Sequence, residues 1–289
     1  MSTSSQMSAA AAAPAPNEEN RLVSPSEVDE QVLSSWTDEQ NRLKERLDTT
    51  DNATGFAPVG QGEAESATDG LGLPPLRLVG GVDISFVKGD PKAACASLVV
   101  LSFPEMKVVY ENFEMVELTL PYIPGFLAFR EVNFLVALLD RLRAQQPELL
   151  PQLIFVDGNG VLHQRGFGLA SHLGVLVDIP TIGIGKTIFH VDGIDMNHVK
   201  TMVVPKLSHS GATAKLVGIS GREWGAALRS TEDSTNPVFI SVGHRISLDH
   251  AIRITKTSCL HRIPEPVRQA DLRSRQYLRD HPYSSGVAK

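Results

Sequence analysis

The segment PQLIFVDGNGVLHQRGFGLASHLGVLVDIPTIGIGK, Pro151 to Lys186, decides the fold. It opens with the short apolar run Leu153 to Val156, which Asp157-Gly158 brings to a stop, and this reads as a buried strand. GFGLASHLGVLVD carries a helical pattern, and IPTIGIGK is a second short apolar strand. Strands alternating with helices imply a partly parallel sheet covered on both faces.

Upstream, LVGGVDISF, ACASLVVLSF and KVVYENFEMVEL are β-type runs punctuated by Gly, Pro and Asp, an antiparallel meander. PYIPGFLAFREVNFLVALLDRL follows, a turn entering a helix expected from about Gly125 to Arg143. Downstream, strands are expected around 213–220 and 238–242 and a helix near 247–257. The expected fold class is therefore α/β, a mixed sheet of antiparallel meander followed by β-α-β units, flanked by helices.

The ends are of different character. Residues 1–23 are low-complexity, with neither a basic n-region nor an apolar h-region, so a signal peptide is not expected. Ser24-Pro25-Ser26-Glu27 reads as a capped helix start, and the spacing of Val28, Val32, Trp36, Leu43 and Leu47 predicts a helix over 24–48 that packs on the core. Residues 49–75 read as a linker. The Pro- and Arg-rich stretch after Ile263 is expected to run over the surface, with 266–289 a basic C-terminal extension.

The net charge of −6 is unevenly placed. Residues 1–70 hold 13 acids against 4 bases, whereas 71–289 hold 23 bases against 20 acids. The acidic N-terminus thus masks a mildly basic body, which keeps nucleic acid among the possible partners. Two cysteines, Cys95 and Cys259, are too few for a disulfide framework or a zinc cluster and point to a reducing compartment. No run approaches the ~18 apolar residues of a membrane span. The expectation is a soluble, intracellular monomer, cytoplasmic in the first instance, with the nucleus or nucleolus as the alternative.

Three acids sit where carboxylates are costly. Asp83 lies inside the apolar strand VGGVDISF, on the face opposite Val82, Ile84 and Phe86. Asp157 ends an apolar strand, at the position where open α/β sheets bind ligands. Glu131 falls in the apolar stripe of its helix, three or four residues from Leu127, Ala128, Phe134 and Leu135. Asp83 and Asp157 have plain structural readings as well: an acid salt-bridged to an Arg or capping a loop, and an Asp-Gly turn. Taken together, three carboxylates need a cation, and oxygen-only donors indicate Mg²⁺ or Mn²⁺. Lys186 closes the second parallel strand, either as an ordinary strand-end lysine or within reach of a phosphate. His163 with Arg165 and His244 with Arg245 are basic pairs able to contact phosphate. His172 reads as a packed helical histidine. The stretch DGNGVLH has His163 where a dinucleotide fingerprint needs its third Gly, and Pro180 stands where a phosphate loop needs its first.

The stretches GVDISF, PYIPGFLAFRE, FVDGNGVLHQRGFGLASHLGV, DIPTIGIGK, SVGHRISL and RIPEPVRQAD run in order from about Val79 to Asp271. Together they resemble the endonuclease V family, metal-dependent nucleases of ribonuclease-H-like fold. SVGHRISL and GREWGAALRS are similar to the animal and fungal branch; Gln164, where bacterial members have Pro, and the long acidic N-terminal extension are departures. The resemblance implies a catalytic domain over 76–265. It implies Mg²⁺, with Mn²⁺ as substitute, held by Asp83 and Asp157 with Glu131 contributing, and Lys186 and His244 as basic catalytic residues. It implies a wedge at Tyr122, Ile123 and Pro124, and a hypoxanthine pocket shaped by Leu127, Gly158, Gly160 and His163, with Arg165 alongside. The implied reaction is cleavage of the second phosphodiester 3′ of inosine in single-stranded RNA, or of deoxyinosine in DNA, leaving 3′-hydroxyl and 5′-phosphate ends. A non-catalytic binder of inosine-containing nucleic acid and a dedicated repair enzyme for deoxyinosine DNA are the alternatives.

Overall fold

The computed structural model describes residues 30–57 and 74–282. The tail, the Ser24 cap, residues 58–73 of the expected linker and the last seven residues lie outside that description.

One eight-stranded sheet organises the chain. Its strands are β1 (Leu78–Phe86), β2 (Ala93–Ser102), β3 (Val108–Glu117), β4 (Leu153–Asp157), β5 (Thr181–Gly185), β6 (Thr213–Val217), β7 (Glu223–Leu228) and β8 (Val238–His244), in the order β3-β2-β1-β4-β5-β8-β7-β6. The first three form the antiparallel meander; β1, β4 and β5 are mutually parallel neighbours; β8, β7 and β6 continue antiparallel. This is the ribonuclease-H-like mixed sheet that the sequence implied. The parallel pairs put the carboxyl ends of three central strands side by side.

Helices cover both faces. On one face, α2 (Leu127–Gln145) and α3 (Leu169–Val177) pack over Val82, Leu98, Val100 and Val156. Leu135, Leu138, Leu139 and Leu142 recur at helical spacing along α2 and are all buried to 1% or less. Each such burial contributes ~2 kcal/mol, so the stripe fixes how α2 lies on the sheet. Glu131 sits one turn before Leu135 on that stripe. α1 (Glu30–Lys44) docks on this side too, through Leu43 against Phe167 and Val175.

The opposite face is covered by α5 (Leu248–Thr257) and α6 (Glu265–Asp280), while the short α4 (Met196–His198) lies in the β5–β6 connection. Here two expectations are corrected. The Arg-rich C-terminal stretch is a helix seated on β1 and β2. It buries Val267 and Ala270 fully, and its first turn approaches closely because β1 has no side chain at Gly81, where a Cβ would lie 2.0 Å from the Pro266 carbonyl oxygen. Nor is the stretch after α1 a free linker as far as Ala57, since Phe56 is fully buried and Asp51 accepts from the Ser247 amide. Strand β7, EWGAAL, was not expected; it lies between β6 and β8 and carries small residues without alternation.

Candidate active site

The carboxyl ends of β1, β4 and β5 converge on a cleft of about 580 Å³. Val82 is paired with Val156 in parallel register, so Asp83 and Asp157 follow side by side, on the sheet face that α6 covers. Lys186, one residue beyond β5, donates its Nζ to Asp157 Oδ2 at 2.6 Å. From α6, Asp271 lines the same cleft, with Arg275 Nε donating to it at 2.8 Å. Glu131 reaches the strand ends from the other side: with Asp83 and Asp157 it lines an adjoining cavity of about 200 Å³.

Burial dominates the electrostatics. It pushes the Asp83 carboxyl up to about 7, and the Asp157 and Asp271 charges add to the rise. Burial likewise lifts Glu131 to about 8, with the Asp83 charge second. Asp83 finds one hydroxyl, Ser85 Oγ at 3.0 Å, and that hydroxyl itself accepts from Ser274 on α6. Burial pulls Lys186 down, but the Asp157 charge and hydrogen bond outweigh it and hold the ammonium above its ordinary value. Among the described residues no three His, Cys, Asp or Glu side chains form an ion cage as they stand. A pair of adjacent carboxylates with further acids nearby still suits Mg²⁺, which is held by one or two carboxylates together with water and substrate phosphate. The donor set is all oxygen, and acids lifted toward neutrality by burial and then by neighbouring charges are relieved by a cation.

A second pocket opens beside the cleft, lined by Tyr122, Pro124, Leu127, His163, Phe167 and Phe189, among others. Leu127 and Leu169 also line the cavity that holds Glu131, so the pocket and the acids adjoin. Burial pulls His163 down to about 4, with the Arg165 charge adding to the effect, so its imidazole is neutral. Arg165 lies 3.9 Å over the Phe126 ring and donates to the Gly125 carbonyl. Phe189, 47% exposed, stands at the rim.

Several expected residues fall elsewhere. His244 is buried at the far end of β8, opposite Thr181, where its Nδ1 accepts from the Asp48 amide at 3.2 Å and its Nε2 lies 3.7 Å from Asp178. Lys186 is five residue steps along from Thr181, roughly 16 Å at ~3.3 Å per residue, so His244 is not beside the acids. Ile123 is 1% exposed and packed, which leaves Tyr122 and Pro124 as the part of the turn that faces the pocket. Gly158 and Gly160 are not among the pocket's lining residues. A Cβ on Gly160 would sit 1.9 Å from the Val242 carbonyl oxygen, so this glycine serves the approach of β8. The residue between them, Asn159, does line the pocket. Asp271, Gln40, Asn159, Phe167 and Phe189 were missed. Asp271 had a signal: Val267, Ala270, Asp271 and Ser274 share one helical face.

Residues 64–272 match the family model described as Endonuclease V. The chain is 52% identical over 259 residues to Endonuclease V of Mus musculus, covering 90% of this chain and 73% of that protein. It is 51% identical to Endonuclease V of Homo sapiens, over 86% of this chain and 84% of the relative. The catalytic domain of human Endonuclease V superposes with a TM-score of 0.79 at 51% identity, covering 88% of this chain and 98% of that one. Endonuclease V of Ciona intestinalis, solved with a 23mer DNA containing an inosine followed by a ribo-adenosine, superposes with a TM-score of 0.75 at 32% identity, covering 88% and 99%.

Proposed function

The chain belongs to the endonuclease V family, and on that premise we propose that it is a divalent-metal-dependent endonuclease for inosine-containing strands. The proposed substrate is single-stranded RNA, with deoxyinosine DNA also cut, at the second phosphodiester 3′ of inosine, leaving 3′-hydroxyl and 5′-phosphate ends. The observation that carries this reading is the adjacency of two unlike sites: a cleft of converging carboxylates, and a pocket that shares Leu127 and Leu169 with the cavity joining it to Asp83, Glu131 and Asp157. A base held in the pocket leaves its own strand running toward the acids.

Asp83 and Asp157 would hold Mg²⁺, or Mn²⁺ in its place, with Asp271 and Glu131 contributing from α6 and α2. When bound, the ion supplies charge neutralisation at the phosphate and acidification of water. Lys186 keeps its proton beside Asp157 and would offer it to the departing 3′-oxygen. Tyr122 and Phe189 flank the pocket mouth as stacking faces, while neutral His163 lies within it. Extruding a base costs a few kcal/mol, least in a single strand, which favours unpaired substrate. The preference for RNA rests on the resemblance to the animal branch and on the ribonucleotide that follows inosine in the Ciona complex.

A non-catalytic inosine binder on the same fold is the competing reading. A cluster of acids facing the phosphate opposes binding without a cation, which disfavours it. The deciding experiment is cleavage of labelled single-stranded RNA and DNA, each with and without one inosine, in Mg²⁺ or EDTA. Inosine-dependent cutting abolished by EDTA is expected. Cutting in EDTA would remove the metal from the reading, and equal cutting of inosine-free strands would remove the pocket.

A further inference from the structure

Helix α1 lies wholly outside the stretch that matches the family model, residues 64–272, yet it touches both loops that wall the base pocket. The contact is made by Gln40, a polar side chain only 1% exposed. Its Nε2 donates to the Phe167 carbonyl at 2.7 Å and, more weakly, to the Gly125 carbonyl at 3.4 Å. Its Oε1 accepts from Arg165 Nε, and Arg165 in turn donates to Gly125 and covers the Phe126 ring. Lys44, one helical turn on, donates to the Arg165 carbonyl at 2.6 Å. Trp36, one turn before, stacks on Phe129 with ring centroids 5.1 Å apart.

We infer that Gln40 is a positioning residue for base selection: α1 clamps the Tyr122–Leu127 turn to the His163–Leu169 loop and so sets the width of the pocket between them. Its amide lines the pocket but has its donor and acceptor engaged by the two loops, so it holds the walls and does not read the base. None of the cleft acids touches it, so the clamp acts on which base is accepted and leaves the cutting step alone.

This rests on the pocket's being the inosine site, and two independent measurements separate the two ideas. Gln40→Met keeps volume and removes all three side-chain hydrogen bonds; Gln40→Ala removes volume as well. In the full chain, each is expected to raise KM for an inosine strand about tenfold and to narrow the preference over a guanosine strand by a similar factor, with kcat near that of the parent. Independently of cleavage, amide hydrogen exchange in Gln40→Met should quicken about tenfold at Phe126 and Gly166, one amide in each loop, and stay unchanged at Ile154 in β4. Unchanged exchange at both loop amides overturns the clamp whatever the enzyme cuts. Loosened loops with KM and base preference unaltered overturn its role in selection. If the parent chain shows no inosine preference, the pocket reading fails, and the exchange measurement still decides whether Gln40 holds the loops.

Discussion

The acidic cleft and the pocket proposed for the base adjoin through one cavity, and they are finished to different degrees. In the pocket wall Gln40, Arg165 and Gly125 close a hydrogen-bonded ring from which Gln40 also donates to Phe167, and His163 is kept neutral by burial. Among the buried polar atoms of the lining side chains, Asn159 Oδ1 alone is left without a partner. In the cleft, burial first lifts both Asp83 and Glu131; the Asp157 and Asp271 charges then add to Asp83, and the Asp83 charge to Glu131. A pocket of this kind is preorganised by its own chain, so recognition costs little reordering. A cleft of this kind stores unfavourable charge that Lys186 offsets only in part. On the proposed reading, selectivity belongs to the first region and chemistry to the second.

The largest effect that would break this division comes from the cleft. Asp83→Asn or Asp157→Asn is expected to lower inosine-dependent cleavage by more than about a thousandfold while binding of the intact strand stays measurable, as read by gel assay and anisotropy. In Asp83→Asn, removal of a desolvated charge should also raise the melting temperature in EDTA at pH 8.5. A cleft variant that loses binding and cleavage in parallel would mean that the acids shape the pocket as well.

Next in size is the response to the cation. Mg²⁺ at about a hundred times its Kd should stabilise the parent chain by ~2.7 kcal/mol, seen as a rise in melting temperature over EDTA. Asp83→Asn should show little of that rise and Gln40→Met all of it. Equal responses in both variants would place the ion elsewhere. Smaller again are the rim aromatics. Tyr122→Ala and Phe189→Ala should each weaken strand binding by ~1–3 kcal/mol, because stacking is the contact they offer, with cleavage at saturation retained.

The same contrast explains what could be read from sequence. Asp83, Asp157 and Glu131 were visible because a charge inside an apolar period is an anomaly with few solutions. Asp271 stands in QADLRSRQ, where charges are the rule, and the stripe that buries α6 is narrow and made of small residues, Val267, Ala270 and Ser274. A helix that docks through Ala and Ser on a glycine-bearing strand leaves almost no hydrophobic signature. His244 misled for another reason. Its strand was recognised, but a sequence does not state whether a strand runs parallel or antiparallel to its neighbour, and β8 runs so that His244 ends opposite the start of β5. Gln40 belongs to a polar helix face, and its role exists only through two loops more than eighty residues away.

The finest test of the comparison is pH, because the two regions have opposite signs. Burial holds His163 and His172 down at about 4, against an ordinary value near 6.5. Such groups leave folding undisturbed above pH 6.5. Below it the unfolded chain takes up protons that the folded chain refuses, so stability is lost between pH 6.5 and 4. Asp83 and Glu131, raised in the folded state, act the other way: their cost is absent below pH 4 and complete above about pH 8, so in EDTA it fades as pH falls. His172 is the cleaner probe, since it packs between Phe129 and Phe167 in α3 and touches none of the cleft acids. His172→Leu should therefore shrink the loss of stability between pH 7 and 5 by about 1–2 kcal/mol in urea titrations. It should leave the opposite, cation-relieved trend between pH 7 and 8.5 in place. If the variant flattened both trends, the cleft and the pocket wall would titrate as one unit and the division between them would fail.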